Sequence, residues 1–93
     1  MTIAHTMAPS LEWANTELPD RTLKSTKAKL FEEIGELVST DFEDEKEYAD
    51  VLIVLFDLAW QHGIDLDRAV YQKMSINEAR EWSRDDNGIY QHD

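Results

Sequence analysis

Four carboxylates in the middle of the chain are spaced so that they could bind a metal ion together. Glu33 and Glu36 are three residues apart, as are Glu47 and Asp50, and residues three apart share one face of a helix. Two antiparallel helices joined by a short loop would bring the two pairs face to face. Four converging carboxylates need a counter-charge, and oxygen-only ligation suits Mg²⁺ or Mn²⁺. The alternative is a pair of solvated helix faces.

The predicted helix that carries Glu47 and Asp50 is apolar around most of its circumference, from Tyr48 to Trp60. Such a helix is expected to be buried on nearly all sides. Yet Glu47, Asp50, Asp57 and Gln61 fall within about 80° of one another on the helical wheel. Buried carboxylates are costly unless they are paired or bound to metal, so this stripe favours the metal site. Asp57 lies deeper in the same cleft or pairs with an arginine or lysine across a subunit boundary, and we favour the structural role.

A third predicted helix carries a complementary polar stripe. Lys73, Asn77 and Arg80 stand at positions i, i+4 and i+7, within about 60° of one another. An ammonium, an amide and a guanidinium on one face suit a phosphate or sugar clamp. The alternative is a surface ion-pair stripe, for which Glu78 and Glu81 are near enough to serve as partners.

Three long helices must position these groups, and the sequence predicts them in an all-α chain without strand-like alternation. The first follows a cap at Asp20 or Thr22 and runs to about residue 39. The second covers about residues 45–62 with Gly63 as its C′ residue, and the third runs from the cap Asp65 to about Trp82. We expect one domain over residues 1–93, with an N-terminal arm (1–21), a helical core (22–82) and a tail (83–93).

The two ends of the chain give weaker signals. Pro9 and Pro19 bracket residues 10–18, for which we predict one or two helical turns with Ser10 as the cap. Asp85–Gly88 predicts a turn, followed by residues 89–93 as an arm.

Composition narrows the function classes. Nine basic and twenty acidic residues give a net charge of −11, which disfavours general binding to nucleic acid or to anionic membranes. No cysteine is present. The longest apolar run, Val51–Phe56, is far short of the roughly 20 residues that span a bilayer. The N-terminus lacks the features of a signal peptide. We therefore expect a cytoplasmic protein. The charge also permits a non-catalytic acidic binding protein, either a DNA mimic or a nucleotide-binding pseudo-enzyme.

The acidic motifs resemble those of a known family. Glu32-Glu33-Ile34-Gly35-Glu36 followed by Glu47-Tyr48-Ala49-Asp50 is similar to the EExxE…ExxD signature of the MazG-like all-α nucleoside triphosphate pyrophosphohydrolases. The surrounding segments KLFEEIGEL, EYADVLIVLFDLAWQHGIDLDRAV and KMSINEAREW agree. The last segment looks most like small phage-encoded members, including the dATP/dGTP branch. The resemblance covers about Trp13 to Trp82.

The resemblance implies a fold, a reaction and a set of site residues. The fold is an antiparallel helical bundle with three main helices per chain, completed by a homodimer or homotetramer. The reaction is Mg²⁺-dependent hydrolysis of a (deoxy)nucleoside triphosphate to the monophosphate and pyrophosphate, with Mn²⁺ as a possible substitute. The implied metal ligands are Glu33, Glu36, Glu47 and Asp50. Glu32 would be an accessory carboxylate or the base, so that Glu32 and Glu33 are the catalytic candidates, and Lys73, Asn77 and Arg80 would hold the triphosphate or sugar.

Two further points bear on the substrate cleft. Only residues 37–46 separate Glu36 from Glu47, which is slightly fewer than is usual for the family and predicts a short loop that trims the cleft. Trp13 is the best candidate to stack on the nucleobase, because it stands on the N-terminal arm outside the predicted core helices. The alternative for this tryptophan is core or subunit-interface packing.

Overall fold

Four helices and a small hairpin make up residues 3–93, the part of the chain that the computed structural model describes. The helices are α1 (Ile3–Glu17), α2 (Leu23–Ser39), α3 (Glu45–Gln61) and α4 (Leu66–Ala79), and the strands are β1 (Trp82–Arg84) and β2 (Tyr90–His92). The predicted all-α class is therefore confirmed. Residues 1 and 2 of the predicted arm, and of the predicted domain 1–93, lie outside the described residues.

Side-chain caps set where the helices begin. Thr22 caps α2 in a capping box: its hydroxyl accepts from the backbone N–H of Ser25 at 3.0 Å, and the Ser25 hydroxyl accepts from the N–H of Thr22 at 2.9 Å. Asp44 and Asp65 cap α3 and α4 by accepting backbone N–H groups of the first turn. Each bond satisfies a donor that would otherwise lack a partner. The predicted caps Thr22 and Asp65 are confirmed.

Tight turns close α2 and α3. The N–H groups of Asp41 and Phe42 bond back to the carbonyls of Val38 and Leu37 at 2.9 and 3.1 Å, which is the Schellman pattern. Asp41 and Phe42 both adopt left-handed backbone, with φ of 55° and 60°, a conformation that costs non-glycine residues free energy. Gly63 ends α3 at φ 71° as predicted. The short α2–α3 turn makes the two helices antiparallel and fixes their relative register.

The N-terminal region differs from the prediction. Instead of one or two turns capped by Ser10, α1 runs for 15 residues through Pro9, and the Ser10 hydroxyl donates to the carbonyl of Met7 at 2.6 Å. Met7 and Ala14, two turns apart, are both 5 % exposed, and α1 packs on α3 and α4. Burial of this face outweighs the helix-breaking tendency of proline. The chain therefore has a fourth long helix beside the three that were predicted.

The C-terminal region also differs. Helix α4 ends at Ala79 rather than near Trp82, and Arg80 follows as an extended cap residue. Strands β1 and β2 then pair antiparallel in the register Trp82↔His92, around the predicted turn, where Gly88 adopts φ 80°. These strands show no alternation of apolar and polar residues because all six strand residues are exposed, and no buried face imposes a period of two.

The helices leave much apolar surface open. Helices α2 and α3 form the most extensive helix pair, yet none of the described side chains is fully buried. The radius of gyration is 15.9 Å, against about 12 Å for a compact chain of this length. Each helix in the described part of the chain is too short or too polar to span a lipid bilayer. The expectation that α3 is buried on nearly all sides is not met within one chain, because Leu52 and Leu55 are 43 % and 40 % exposed.

Arg21 joins α1 to α3 through all five of its N–H donors. Nε and Nη2 bond the two carboxylate oxygens of Asp57, each at 2.7 Å. Nη1 bonds the carbonyls of Ala14 and Leu18, and Nη2 also bonds Oδ1 of Asn15. These carbonyls lie at the C-terminal end of α1, where a cation is favourable. Asp57 therefore pairs with an arginine of its own chain, whereas the favoured prediction placed its partner across a subunit boundary.

The bidentate pair of Arg21 and Asp57 belongs to a larger polar network near the C-terminal end of α3. Gln61 donates from Nε2 to Oδ2 of Asp57 at 3.2 Å and to the hydroxyl of Thr26 at 2.8 Å, so the network reaches α2. The guanidinium also lies 5.8 Å from the ring centre of Trp60, within cation–π range. The hydrogen bond with Asp57 raises the pKa of Arg21, which keeps the guanidinium charged.

Removing Arg21 should destabilise the protein strongly. The side chains of Arg21 and Asp57 are 12 % and 11 % exposed, so Arg21→Met leaves a nearly buried carboxylate without a counter-charge. We expect a loss of about 3–5 kcal/mol of unfolding free energy, measured by urea denaturation. Arg68→Met, which removes an exposed arginine from α4, is the control.

The double variant Arg21→Met/Asp57→Leu should be more stable than Arg21→Met alone, because it removes the stranded charge as well. A single variant as stable as the starting protein, or a double variant less stable than the single, would contradict this assignment.

Candidate active site

The two carboxylate pairs are held at the boundary between α2 and α3. On α2 the buried residues Thr26, Glu33 and Leu37 follow helical spacing and form the stripe that faces the neighbouring helices. Glu33 is part of that stripe, and Glu36 lies one turn further along. On α3 the acids precede the buried Asp57 on the same side of the helix. Packing of α2 on α3 therefore brings the pairs together.

The four carboxylates form one compact cluster. Glu33, Glu36, Glu47 and Asp50 each offer an oxygen, and these oxygens all lie within 4.8 Å of one another. Glu33 is buried, Glu47 is half-buried, and Glu36 and Asp50 are exposed. The cluster is thus anchored in the helix boundary and open to solvent on one side, as a site that must exchange ligands requires.

Two oxygens of this cluster are suited to bind a cation. Oε2 of Glu33 and Oε2 of Glu47 are buried and have no hydrogen-bond partner. A buried charged acceptor without a partner is strongly unfavourable. Hard divalent cations such as Mg²⁺ and Mn²⁺ prefer oxygen ligands of this kind, so the residues present fit such an ion.

Like charge in the cluster perturbs the exposed Glu36. Its pKa is raised, first by the hydrogen bond it shares with Glu33 and by the charge of Glu33, and then by desolvation and the charges of Glu47 and Glu32. A carboxyl group is protonated more easily where neighbouring carboxylates cannot all ionise together. Without a metal ion, the cluster is therefore electrostatically strained.

Lys29 supplies a positive charge beside the cluster. Its Nζ lies 3.1 Å from Oε1 of Glu33 and 3.3 Å from Oε1 of Glu32. Hydrogen bonds to Glu33 and then to Glu32 raise the pKa of Lys29. The predicted catalytic residue Glu32 lies outside the four-carboxylate cluster, and its side chain is 58 % exposed. Lys29 links Glu32 to the cluster because its ammonium group pairs with both Glu32 and Glu33.

A cavity of about 940 Å³ opens beside the carboxylates. Its wall includes Glu33 and Asp50 of the cluster, Ile53 and Val54 of α3, and Trp13 of α1. This volume is in the range of pockets that take nucleotide-sized ligands. Trp13 is 55 % exposed, and the structure brings this predicted base-stacking residue to the same cavity as the acids.

The predicted clamp on the third core helix is not part of that cavity wall. Lys73 on α4 is exposed, and Asn77 and Arg80 are half-buried near the end of the helix. The backbone of Asn77 instead accepts from the indole of Trp82 at 2.8 Å. Helix α4 ends at Ala79, and Arg80 follows it as the C-cap residue with extended backbone.

Two cations that line the cavity were missed by sequence reasoning, Arg21 and Lys29. Lys29 had a recognisable signal, since it stands four residues before Glu33 and can pair with it on one helix face. Arg21 had none, because its partner Asp57 lies far away in the sequence.

Comparison with known proteins gives a consistent result. The profile of the dATP/dGTP pyrophosphohydrolase family matches residues 7–92. A dATP/dGTP diphosphohydrolase of Cyanophage S-2L is 46% identical over 92 residues, which cover 98% of this chain and 88% of the relative. Another from Salmonella phage PMBT28 is 45% identical over 80 residues, which cover 86% of this chain but 28% of that longer relative.

A solved structure is similar over the whole chain. It is the MazG-like pyrophosphohydrolase of Cyanophage S-2L bound to dGDP and three catalytic Mn²⁺ ions per active site. The TM-score is 0.82 at 45% identity, and the match covers 100% of this chain and 93% of the other. The MazG-like fold expected from the sequence is confirmed.

Replacing Glu36 by glutamine should stabilise the metal-free protein. Because the pKa of Glu36 is raised in the folded state, protonation of this side chain favours folding. That contribution to the free energy of unfolding is lost as the pH rises through the folded-state pKa. In EDTA at pH 7, Glu36→Gln should therefore melt at a higher temperature than the starting protein. The difference should disappear below about pH 4, where glutamates are protonated in both states.

Thermal melting by circular dichroism in EDTA between about pH 3 and pH 8 measures this effect. Glu78→Gln, which removes an exposed acid from α4, is the control for the change in net charge. An equal or lower melting temperature for Glu36→Gln at pH 7 would show that the cluster is not strained.

Proposed function

Because the chain belongs to the dATP/dGTP pyrophosphohydrolase family, we propose that it hydrolyses a purine deoxynucleoside triphosphate to the monophosphate and pyrophosphate with a divalent metal ion. The observation that carries the proposal is the convergence of four carboxylates, two of them with buried unpartnered oxygens, beside a nucleotide-sized cavity. The non-catalytic alternatives are less favoured. A DNA mimic needs its acids to face outward, whereas these acids converge on a cavity.

The four carboxylates are the proposed metal ligands. Glu33, Glu36, Glu47 and Asp50 would hold Mg²⁺ as the resident ion, with Mn²⁺ able to replace it, as in the S-2L relative that binds Mn²⁺. When bound, such an ion neutralises phosphate oxygens and makes water a better nucleophile. The buried Glu33, fixed in the α2–α3 boundary, would orient this centre against the cavity.

The remaining residues of the proposal bind substrate and move a proton. Water adds to the α-phosphorus, the bond between the α-phosphorus and the bridging oxygen breaks, and pyrophosphate leaves. Glu32 is the proposed acceptor of the proton that the water loses, and Trp13 is the proposed stacking surface for the base. Lys73, Asn77 and Arg80 are retained as proposed contacts to the part of the nucleotide that extends beyond the cavity.

A homo-oligomer is the proposed working form, either a dimer or a tetramer. On α2, Phe31, Ile34 and Val38 form an exposed apolar stripe, and on α3, Tyr48, Leu52 and Leu55 form another. A monomer rarely exposes such continuous apolar surface. A second copy that covers these stripes would supply the burial that a single chain lacks. The full domain, residues 1–93, would act as one unit of this assembly, in the cytosol, where nucleotide pools are used.

Pyrophosphate release from a panel of deoxynucleoside and nucleoside triphosphates, with Mg²⁺, Mn²⁺ or EDTA, tests the reaction. We expect metal-dependent turnover of dATP or dGTP with the monophosphate as co-product. Asp50→Asn should lower turnover by more than about a hundredfold, because changes outside the ligand shell alone can cost that much, while the helical circular dichroism stays unchanged. Asp86→Asn, in the exposed turn of the hairpin, is the control. A fully active Asp50→Asn protein would refute the ligand assignment.

Placing a charge on the apolar stripe of α3 should dissociate the assembly. We expect Leu55→Glu to shift the mass in sedimentation or light scattering from an oligomer to a monomer, with a lower melting temperature that depends less on protein concentration. Thr16→Glu, which adds the same charge to an exposed position of α1, should leave the mass unchanged. A monomeric starting protein would contradict the oligomer proposal.

A further inference from the structure

Lys29 is the cation of the described residues that pairs with a member of the four-carboxylate cluster. Its Nζ bonds Oε1 of Glu33 at 3.1 Å, while Oε2 of the same carboxylate has no partner. A separate ion pair, between Arg21 and Asp57, does not involve the cluster. Of the negative charge concentrated at the α2–α3 boundary, Lys29 therefore neutralises one unit.

The side chains of Lys29 and Glu33 differ in their freedom to move. The side chain of Glu33 is 8 % exposed, whereas that of Lys29 is 51 % exposed. A lysine ammonium is a strongly hydrated point charge on a flexible four-carbon stem, so it can leave the carboxylate by rotating its own side chain. The carboxylate, held inside the helix boundary, cannot follow.

Lys29 also lines the cavity beside the carboxylate cluster. It lines the same cavity as Glu33, Asp50 and Trp13, so an ammonium group released from Glu33 stays inside the space that a nucleotide would fill. A divalent cation bound to Glu33 would repel the ammonium at contact distance. The triphosphate that arrives with its own negative charge would attract it.

We propose that Lys29 is the resident counter-ion of the carboxylate cluster, that metal binding displaces its ammonium group from Glu33, and that the freed group then contacts the phosphates of the nucleotide. Metal loading is in this view an exchange of one cation for another. The first two steps concern the protein and the metal alone, and only the phosphate contact rests on the proposed function.

Binding of Mn²⁺ in the absence of nucleotide tests the exchange. In calorimetric titrations of the full chain, Lys29→Met should bind Mn²⁺ at least about fivefold more tightly, because the metal no longer competes with a coupled cation. In EDTA the same variant should melt at a lower temperature than the starting protein, and saturating Mn²⁺ should remove that difference. A residue that only packs or caps would not tighten metal binding when removed.

Three further variants make the result specific. Lys29→Arg keeps the charge and should return the Mn²⁺ affinity to that of the starting protein. Lys27→Met removes an exposed lysine from another face of α2 and should change nothing. Lys29→Gln, which is polar but uncharged, gives the same test should the methionine variant not fold. An Mn²⁺ affinity that is unchanged or weaker in both Lys29→Met and Lys29→Gln would overturn the exchange.

Steady-state kinetics at saturating Mn²⁺ tests the phosphate contact. Lys29→Met should lower kcat/KM by at least about tenfold, which is the worth of a hydrogen bond to a charged group, and Lys29→Arg should recover part of it. If the starting protein turns over no nucleotide, the proposed function fails while the Mn²⁺ titrations still decide the exchange. If it is active and Lys29→Met is equally active, the phosphate contact is wrong.

Discussion

The mutual repulsion of four carboxylates at one helix boundary is the constraint around which the rest of the structure is arranged. Packing of α2 on α3 brings oxygens of Glu33, Glu36, Glu47 and Asp50 within 4.8 Å of one another, a placement in which like charges repel. The neighbouring groups limit this cost. Lys29 neutralises part of the charge, and the open side of the cluster keeps Glu36 and Asp50 in contact with water. Such strain is typical of sites whose function requires a charge that the chain does not itself supply.

A second polar centre, at the other end of the same two helices, has the opposite character. Arg21 and Asp57 satisfy each other with bidentate geometry, and the remaining donors of Arg21 bond the end of α1. Both groups line the cavity, but their bonding capacity is taken up by protein partners. The network therefore acts on the site indirectly: it fixes α1, and with it Trp13, against α3. The carboxylate cluster at one end of the helix pair therefore keeps uncompensated negative charge. At the other end, the charges of Arg21 and Asp57 compensate each other.

The parts of this arrangement that could be predicted from the sequence are those set by local spacing. Pairs of acids three residues apart, caps at Thr22 and Asp65, and Gly63 after α3 depend on neighbours within one turn of helix. The parts that could not be predicted depend on tertiary contact. Helix α1 continues through Pro9 because Met7 and Ala14 are buried by other helices, and the hairpin after α4 pairs two exposed strands without a buried face. The contact between Arg21 and Asp57 likewise exists only after α1, α2 and α3 have assembled.

The four carboxylates of the cluster lie close together in the sequence, and this affects how the protein folds. All four acids lie within residues 33–50, on two consecutive helices joined by a turn that its own backbone hydrogen bonds close. Contacts of this kind form early, since little chain entropy is lost in closing a short loop. The carboxylate cluster can therefore assemble in an α2–α3 hairpin before α1 docks through Arg21. An ion bound at that stage would hold the two helices in register while the rest of the chain is still unfolded. It would then nucleate folding in addition to serving the reaction.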